Sequence, residues 1–162
     1  MKNTLLIFIM ILLFSSCERE FPFKIGNNYY IDYGNIGSYR DLTNNKGSII
    51  IDIDVTRYAE DSTFIVIEQK PYWEIVNYYQ QKQTDTSRFP HNINKLIKDS
   101  DLYYYWIINQ SEQAVFSSEK KKTTNNGWSN VYGPYTKDEM FQVCKEKGIP
   151  LQLFLEMRIV SR

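Results

Sequence analysis

The chain has 162 residues, with 19 Lys and Arg against 19 Asp and Glu, 43% hydrophobic residues and 15% aromatic ones. That length fits one domain able to bury a sizeable core, and a formal net charge of zero argues against the basic footprint of a nucleic-acid-binding protein. The only cysteines are Cys17 and Cys144, too few for a disulfide framework or a zinc site built on paired thiols.

The first stretch, MKNTLLIFIMILLFSSC, has the layout of an export signal. Lys2 supplies the positive start, residues 5–14 form an unbroken apolar run, and Ser15 and Ser16 are small residues ahead of Cys17. The run covers about half of the ~20 residues a helix needs to cross a bilayer, so a cleaved signal is expected instead of a span. Leu13-Phe14-Ser15-Ser16-Cys17 resembles the bacterial lipobox, with Phe14 where a branched aliphatic residue is usual. The resemblance implies a diacylglyceryl group on Cys17, which together with an N-acyl chain gives stable anchoring at ~0.8 kcal/mol per buried CH₂. The expected division is a signal over 1–16, a lipidated Cys17 and tether over 17–28, and one globular domain over 29–162. Lipid on Cys17 leaves Cys144 without a disulfide partner.

Behind the tether, 29–33 reads as a strand closed by the turn residues of 34–37, and 38–42 as a weaker one ended by 44–47. Ile49, Ile51, Ile53 and Val55 recur at period two, so a half-buried strand is expected across them. It turns at 59–62 into the β-branched run 63–69, which Pro71 stops. Asp52 and Asp54 lie on the other face of that strand. No further oxygen ligand follows at a recognisable loop spacing, so they read as solubilising carboxylates and not as a metal site. Residues 72–79 alternate again and predict a third long strand.

A polar stretch leads to a short helix near 91–98 carrying Ile93, Leu96 and Ile97, with His91, the single histidine, as a surface or capping residue at its start. The aromatic run 102–109 predicts another strand, turned by 110–113 into 114–117. Residues 118–130 are polar, contain Lys120-Lys121-Lys122, and are expected to form a mobile loop that exposes Trp128. Thr136 and Glu139 form a capping box ahead of a helix over about 137–147. Gly148 is its left-handed terminator and Pro150 prevents continuation. Met140, Phe141 and Cys144 share one face of this helix. Cys144 thus reads as a small buried hydrophobe, with no basic neighbour to lower its thiol pKa. Leu151, Leu153, Leu155, Met157 and Ile159 alternate and predict a long final strand tying down the chain end.

The expected class is α+β: a mainly antiparallel sheet of five to seven strands with one well-capped helix and one short helix. The lipobox, the strand at 29–33, the hairpin IDVTRYAEDSTFIVIEQKP, the run YYYWIIN and the stretch VYGPYTKDEMFQVCKEKGIP together resemble an uncharacterised family of small bacterial lipoproteins. The resemblance implies fold and anchoring, and brings no catalytic residues with it.

No nucleophile elbow, phosphate loop, zinc signature or spaced acid pair stands out. The expected function is a lipid-anchored, non-enzymatic binding or envelope-accessory module outside the cytoplasm, on the outer membrane or cell surface of a host with two membranes. Its expected partners are the membrane and an envelope protein or glycan, with no nucleic acid, metal or cofactor. A glycan-binding lipoprotein using Trp73, Trp106 and Trp128 is the alternative, since aromatic rings offer flat apolar faces with polar tips. An inhibitor or immunity lipoprotein fits equally, and an enzyme built on Cys144 and His91 or on scattered acids is the remaining option.

Overall fold

Short apolar strands punctuated by Gly and Asn build a four-stranded antiparallel meander in the first part of the chain. The computed structural model describes residues 22–33, 40–52, 54–82, 92–120 and 126–160. Its first sheet runs in the order β1 (Phe23–Ile25), β2 (Tyr29–Tyr33), β3 (Arg40–Asn44), β4 (Ile49–Ile51). The sheet therefore starts inside the stretch expected to be a tether as far as Asn28. Its register sets Phe23, Ile31, Leu42 and Ile51 in one row, and Ile25, Tyr29 and Asn44 in another at the end where the turns lie. Cys17, the turn at 34–37, Ile53 and His91 lie outside the described residues.

A second antiparallel sheet has the order β8 (Val131–Tyr135), β7 (Tyr104–Asn109), β6 (Phe64–Gln69), β5 (Val55–Glu60), β9 (Arg158–Ile159). Its central strands carry unbroken apolar runs, at 64–67 and 105–108, because both their faces are covered, the signature of a fully buried strand. Ile65, Ile67, Trp106 and Ile108 face the first sheet and join Ile25, Ile31 and Leu42 in one core. Val66, Tyr105 and Ile107 face the other way, into a second core closed by Met140, Cys144, Leu153 and Phe154. These last come from α3 (Lys137–Lys147) and α4 (Leu151–Leu155), which follow α1 (Tyr72–Gln81) and α2 (Ile93–Asp99) in chain order. The α+β class with antiparallel pairing is thus present, its strands divided between two sheets of four and five.

Three expected elements are corrected. Residues 72–79 are not a strand but most of α1: Ile75 and Val76 are buried while Trp73, Glu74, Asn77 and Tyr78 are exposed, the grouping of a 3.6-residue period. Pro71 precedes the first turn, where its missing N–H costs nothing, and its carbonyl accepts from Ile75 N at 3.0 Å. The long final strand is likewise a helix followed by a two-residue strand. Phe154 goes into the core beside Leu153, whereas Leu155 and Ile159 are exposed, so the alternating residues do not share a face. The chain end is still tied to the sheet, through the pairing of β9 with β5 and through Val160 N donating to the Thr56 carbonyl at 3.0 Å.

The strand expected across 49–56 breaks between β4 and β5, which belong to different sheets, and Asp54 takes φ +68° at the crossing. The capped helix stands as expected. Glu139 N donates to Thr136 Oγ1 at 3.4 Å, Thr136 N donates to a Glu139 carboxylate oxygen at 2.7 Å, and Gly148 ends α3 at φ +66°.

Candidate functional site

Residues 126–128 form a strap across β4 and stand between two surface grooves. Asn126 is buried; its Nδ2 donates to the Ile50 carbonyl at 2.6 Å and its Oδ1 accepts from Trp128 N at 3.1 Å. Ser117 N donates to the Gly127 carbonyl at 2.8 Å, and the Phe116 and Trp128 rings meet edge to face at 5.4 Å. Asn126 lines one groove and Trp128 the other.

The first groove, about 380 Å³, has an aromatic rim at the start of α1. Trp73 is 46% exposed there and meets Tyr72 edge to face at 4.9 Å. Tyr104 lies alongside, its hydroxyl pKa raised by burial and then by the Glu74 charge. Trp106 forms the floor at 6% exposure, its indole N–H donating to Gln69 Oε1 at 2.7 Å, while the Gln69 amide donates to the Asp52 carbonyl. Trp106 is therefore a core residue whose polar atom is spent, and Trp73 is the ring that faces outward.

The second groove, about 310 Å³, is lined by carboxamides. Three turns from distant parts of the chain converge on it, carrying Asn27 and Asn28, Asn44 and Asn45, and Gln110 and Gln113. Two of these side chains build the walls. Asn44 Oδ1 accepts from Lys46 N and Ser48 N at 3.0 and 2.9 Å, as short polar residues do in tight turns. Gln110 Oε1 accepts from Asn27 N at 2.9 Å while its Nε2 donates to the Asp61 carbonyl at 2.8 Å. Asn45 Nδ2 reaches Asn28 Oδ1 at 3.5 Å. Tyr29 and Trp128 supply the aromatic surface.

The three tryptophans expected to act together are thus separated: Trp73 and Trp106 border the aromatic groove, and Trp128 the amide groove. Trp128 is not exposed as expected but half-buried, packed against the core between the sheets. Cys144 lies in the other core, where burial raises its thiol pKa.

Sequence reading missed the amides, because no single turn carries the pattern. It also missed the charged residues ending β6. Glu68 is buried, and its carboxylate accepts from Thr56 Oγ1 at 2.9 Å, Tyr105 OH at 3.2 Å and Arg57 at 3.4 Å. Lys70 is buried too, and its ammonium closes the end of α2 by donating to the carbonyls of Ile97 and Lys98 at 2.7 Å each. The signal for both was the polar run Glu68-Gln69-Lys70 ending an apolar strand.

Among the described residues no three His, Cys, Asp or Glu side chains are placed to hold a metal ion, and no helix is long and apolar enough to cross a membrane. No family model, curated protein or solved structure matches the chain.

Proposed function

We propose that this chain is exported, held at a membrane by lipid on Cys17, and acts there as a non-enzymatic binding module of the cell envelope. The observation that carries the reading is the stretch MKNTLLIFIMILLFSSC, with its short apolar run and small residues ahead of the cysteine. Cys17 precedes Phe23, the first residue of β1, by six positions. At ~3.3–3.6 Å per extended residue, that keeps the sheet within about 20 Å of the lipid. A domain so tethered meets membrane-associated partners at a raised effective concentration. Two of the surfaces it offers them are the grooves beside the 126–128 strap.

The test is to express the full chain in a bacterial host with labelled palmitate and to follow detergent-phase partition. The wild-type chain is expected to take up label and enter the detergent phase, and Cys17→Ser to do neither. An unlabelled wild-type chain in the aqueous phase overturns the anchor.

A further inference from the structure

We propose that the amide-lined groove binds a neutral oligosaccharide, one or two rings at a time, through its uncommitted carboxamides and the surface of Trp128. The inference deepens the binding-module reading and rests on it. Its first support is the state of the amides. Among the described residues, the side chains of Asn27 and Gln113, the Nδ2 of Asn28 and the Oδ1 of Asn45 have no protein hydrogen-bond partner, while both ends of the neighbouring Gln110 amide and the Oδ1 of Asn44 are engaged in building the walls. A carboxamide offers both a donor and an acceptor. Sugar hydroxyls, each also a donor and an acceptor, are their chemical complement.

Charge and shape narrow the class. Lys46 and Glu112, the charged residues lining the groove, are of opposite sign, so nothing there favours an anion or a cation. The Glu112 carboxylate is already engaged by Asn109 Nδ2 at 2.8 Å and by Tyr132 OH at 2.7 Å. The half-buried Trp128 ring, braced by Phe116, provides the apolar surface on which a sugar ring can lie. A volume near 310 Å³ is at the lower end of small-molecule sites and suits one or two rings.

A peptide added as a strand is the weaker fit, because that mode needs an open strand edge to pair with. The walls are turns whose backbone groups bond one another: Asn45 N to the Asn28 carbonyl, Gly47 N to the Asn44 carbonyl, and Gln110 N to the Thr63 carbonyl at 2.9, 2.9 and 2.7 Å. The position is also apt for a ligand outside the membrane. Chain arriving from Cys17 enters the first sheet at the Phe23 row, whereas the groove lies at the opposite end of β1, beyond the Ile25–Tyr29–Asn44 row.

The experiment titrates the full chain in detergent with cellotetraose, maltotetraose, xylotetraose and chitotetraose, with tetragalacturonate and tetra-alanine as charged and peptide probes, followed by calorimetry and NMR. At least one neutral tetrasaccharide is expected to bind. The double variant Asn28→Ala, Asn45→Ala, changed only at exposed turn positions, is expected to bind it about tenfold more weakly, the loss of two neutral hydrogen-bonding groups. Trp73→Ala, in the other groove, is expected to leave affinity unchanged.

Silence of all four neutral sugars to about 10 mM overturns the proposal. So does binding that the double variant leaves intact, binding that only Trp73→Ala removes, or a preference for tetragalacturonate or tetra-alanine. Partition of the same preparations reads the anchor separately. A silent panel with partition intact removes the groove and spares the anchored module, while a wild-type chain that fails to partition removes the anchor whatever the sugars do.

Discussion

The two faces of the five-stranded sheet are both buried, yet they end in different chemistry at neighbouring residues of β6. Toward the four-stranded sheet, Gln69 accepts from the Trp106 indole, a pairing of two neutral groups. Toward the helices, Glu68 gathers Thr56, Tyr105 and Arg57 around a buried carboxylate. Because side chains alternate along a strand, one step along the chain exchanges a pH-indifferent contact for an ionisable one. At this end of β6 the sheet therefore carries an ionisable anchor toward the helices and a neutral one toward the four-stranded sheet.

The largest expected effects come from the cores themselves. Ile67→Ala, facing the first sheet, and Met140→Ala, facing the second core from α3, should each lower the unfolding free energy by about 2–5 kcal/mol, read from urea denaturation. If the two faces are independent, the double variant is additive to within about 0.5 kcal/mol. A larger coupling breaks the comparison.

Next in size is Glu68→Ala, which leaves the Tyr105 hydroxyl without its acceptor and Arg57 with the Met157 carbonyl at 3.1 Å. With Arg57 partly exposed and so screened by solvent, the expected loss is about 1–3 kcal/mol. Thr136→Ala, which removes the cap of the helical layer alone, should cost about 1 kcal/mol. The capping hydrogen bonds from Thr136 hold the Glu139 carboxyl below its ordinary value of 4.5. Its contribution is therefore present above that pH and lost as pH falls through the lower folded value, and Glu139→Gln should flatten this acid-side loss in denaturation curves.

The smallest effect sharpens the comparison most. Burial, then the charge of Glu68 and the hydrogen bond to it, push the Tyr105 hydroxyl up to about 12 from an ordinary 10. The folded state then keeps a proton that the unfolded state releases, so this contribution is complete below pH 10 and disappears as the pH rises toward 12. Tyr132, held up to about 12 chiefly by its hydrogen bond to Glu112, acts in the same direction. Tyr105→Phe should reduce the alkaline loss of stability, whereas Trp106→Phe, on the neutral face, should shift stability equally at every pH. A pH-dependent effect of Trp106→Phe would sink the distinction.

Legibility in the sequence followed the distance over which each interaction acts. The capping box needs atoms three residues apart, and the hairpin of β5 and β6 needs a short turn in which Asp61 Oδ1 accepts from Thr63 N and Phe64 N at 2.7 Å each. Both were readable from local chemistry. Residues 72–79 were misread because Tyr, Trp, Ile and Val favour strands intrinsically. Burial of Ile75 and Val76 together, with Trp73 and Tyr78 left outside, rewards a helix instead. At 151–159 the alternating residues concealed Phe154, whose ring packs on Tyr105 at 5.2 Å and Phe141 at 4.7 Å. The amide groove could not be read in advance, since its Asn and Gln residues are ordinary turn formers taken one turn at a time.

Sequence alone determined the α+β class, the central strands and the capped helix, all properties set by composition or by neighbours within a few residues. Tertiary structure alone decided that the strands split into two sheets, that 72–81 coils, and that the tryptophans part company. It also brought six carboxamides from three turns to one surface. The physical reason is common to all four: which face of a segment is buried depends on a partner far along the chain, and that burial outweighs the weak preferences a local sequence can express.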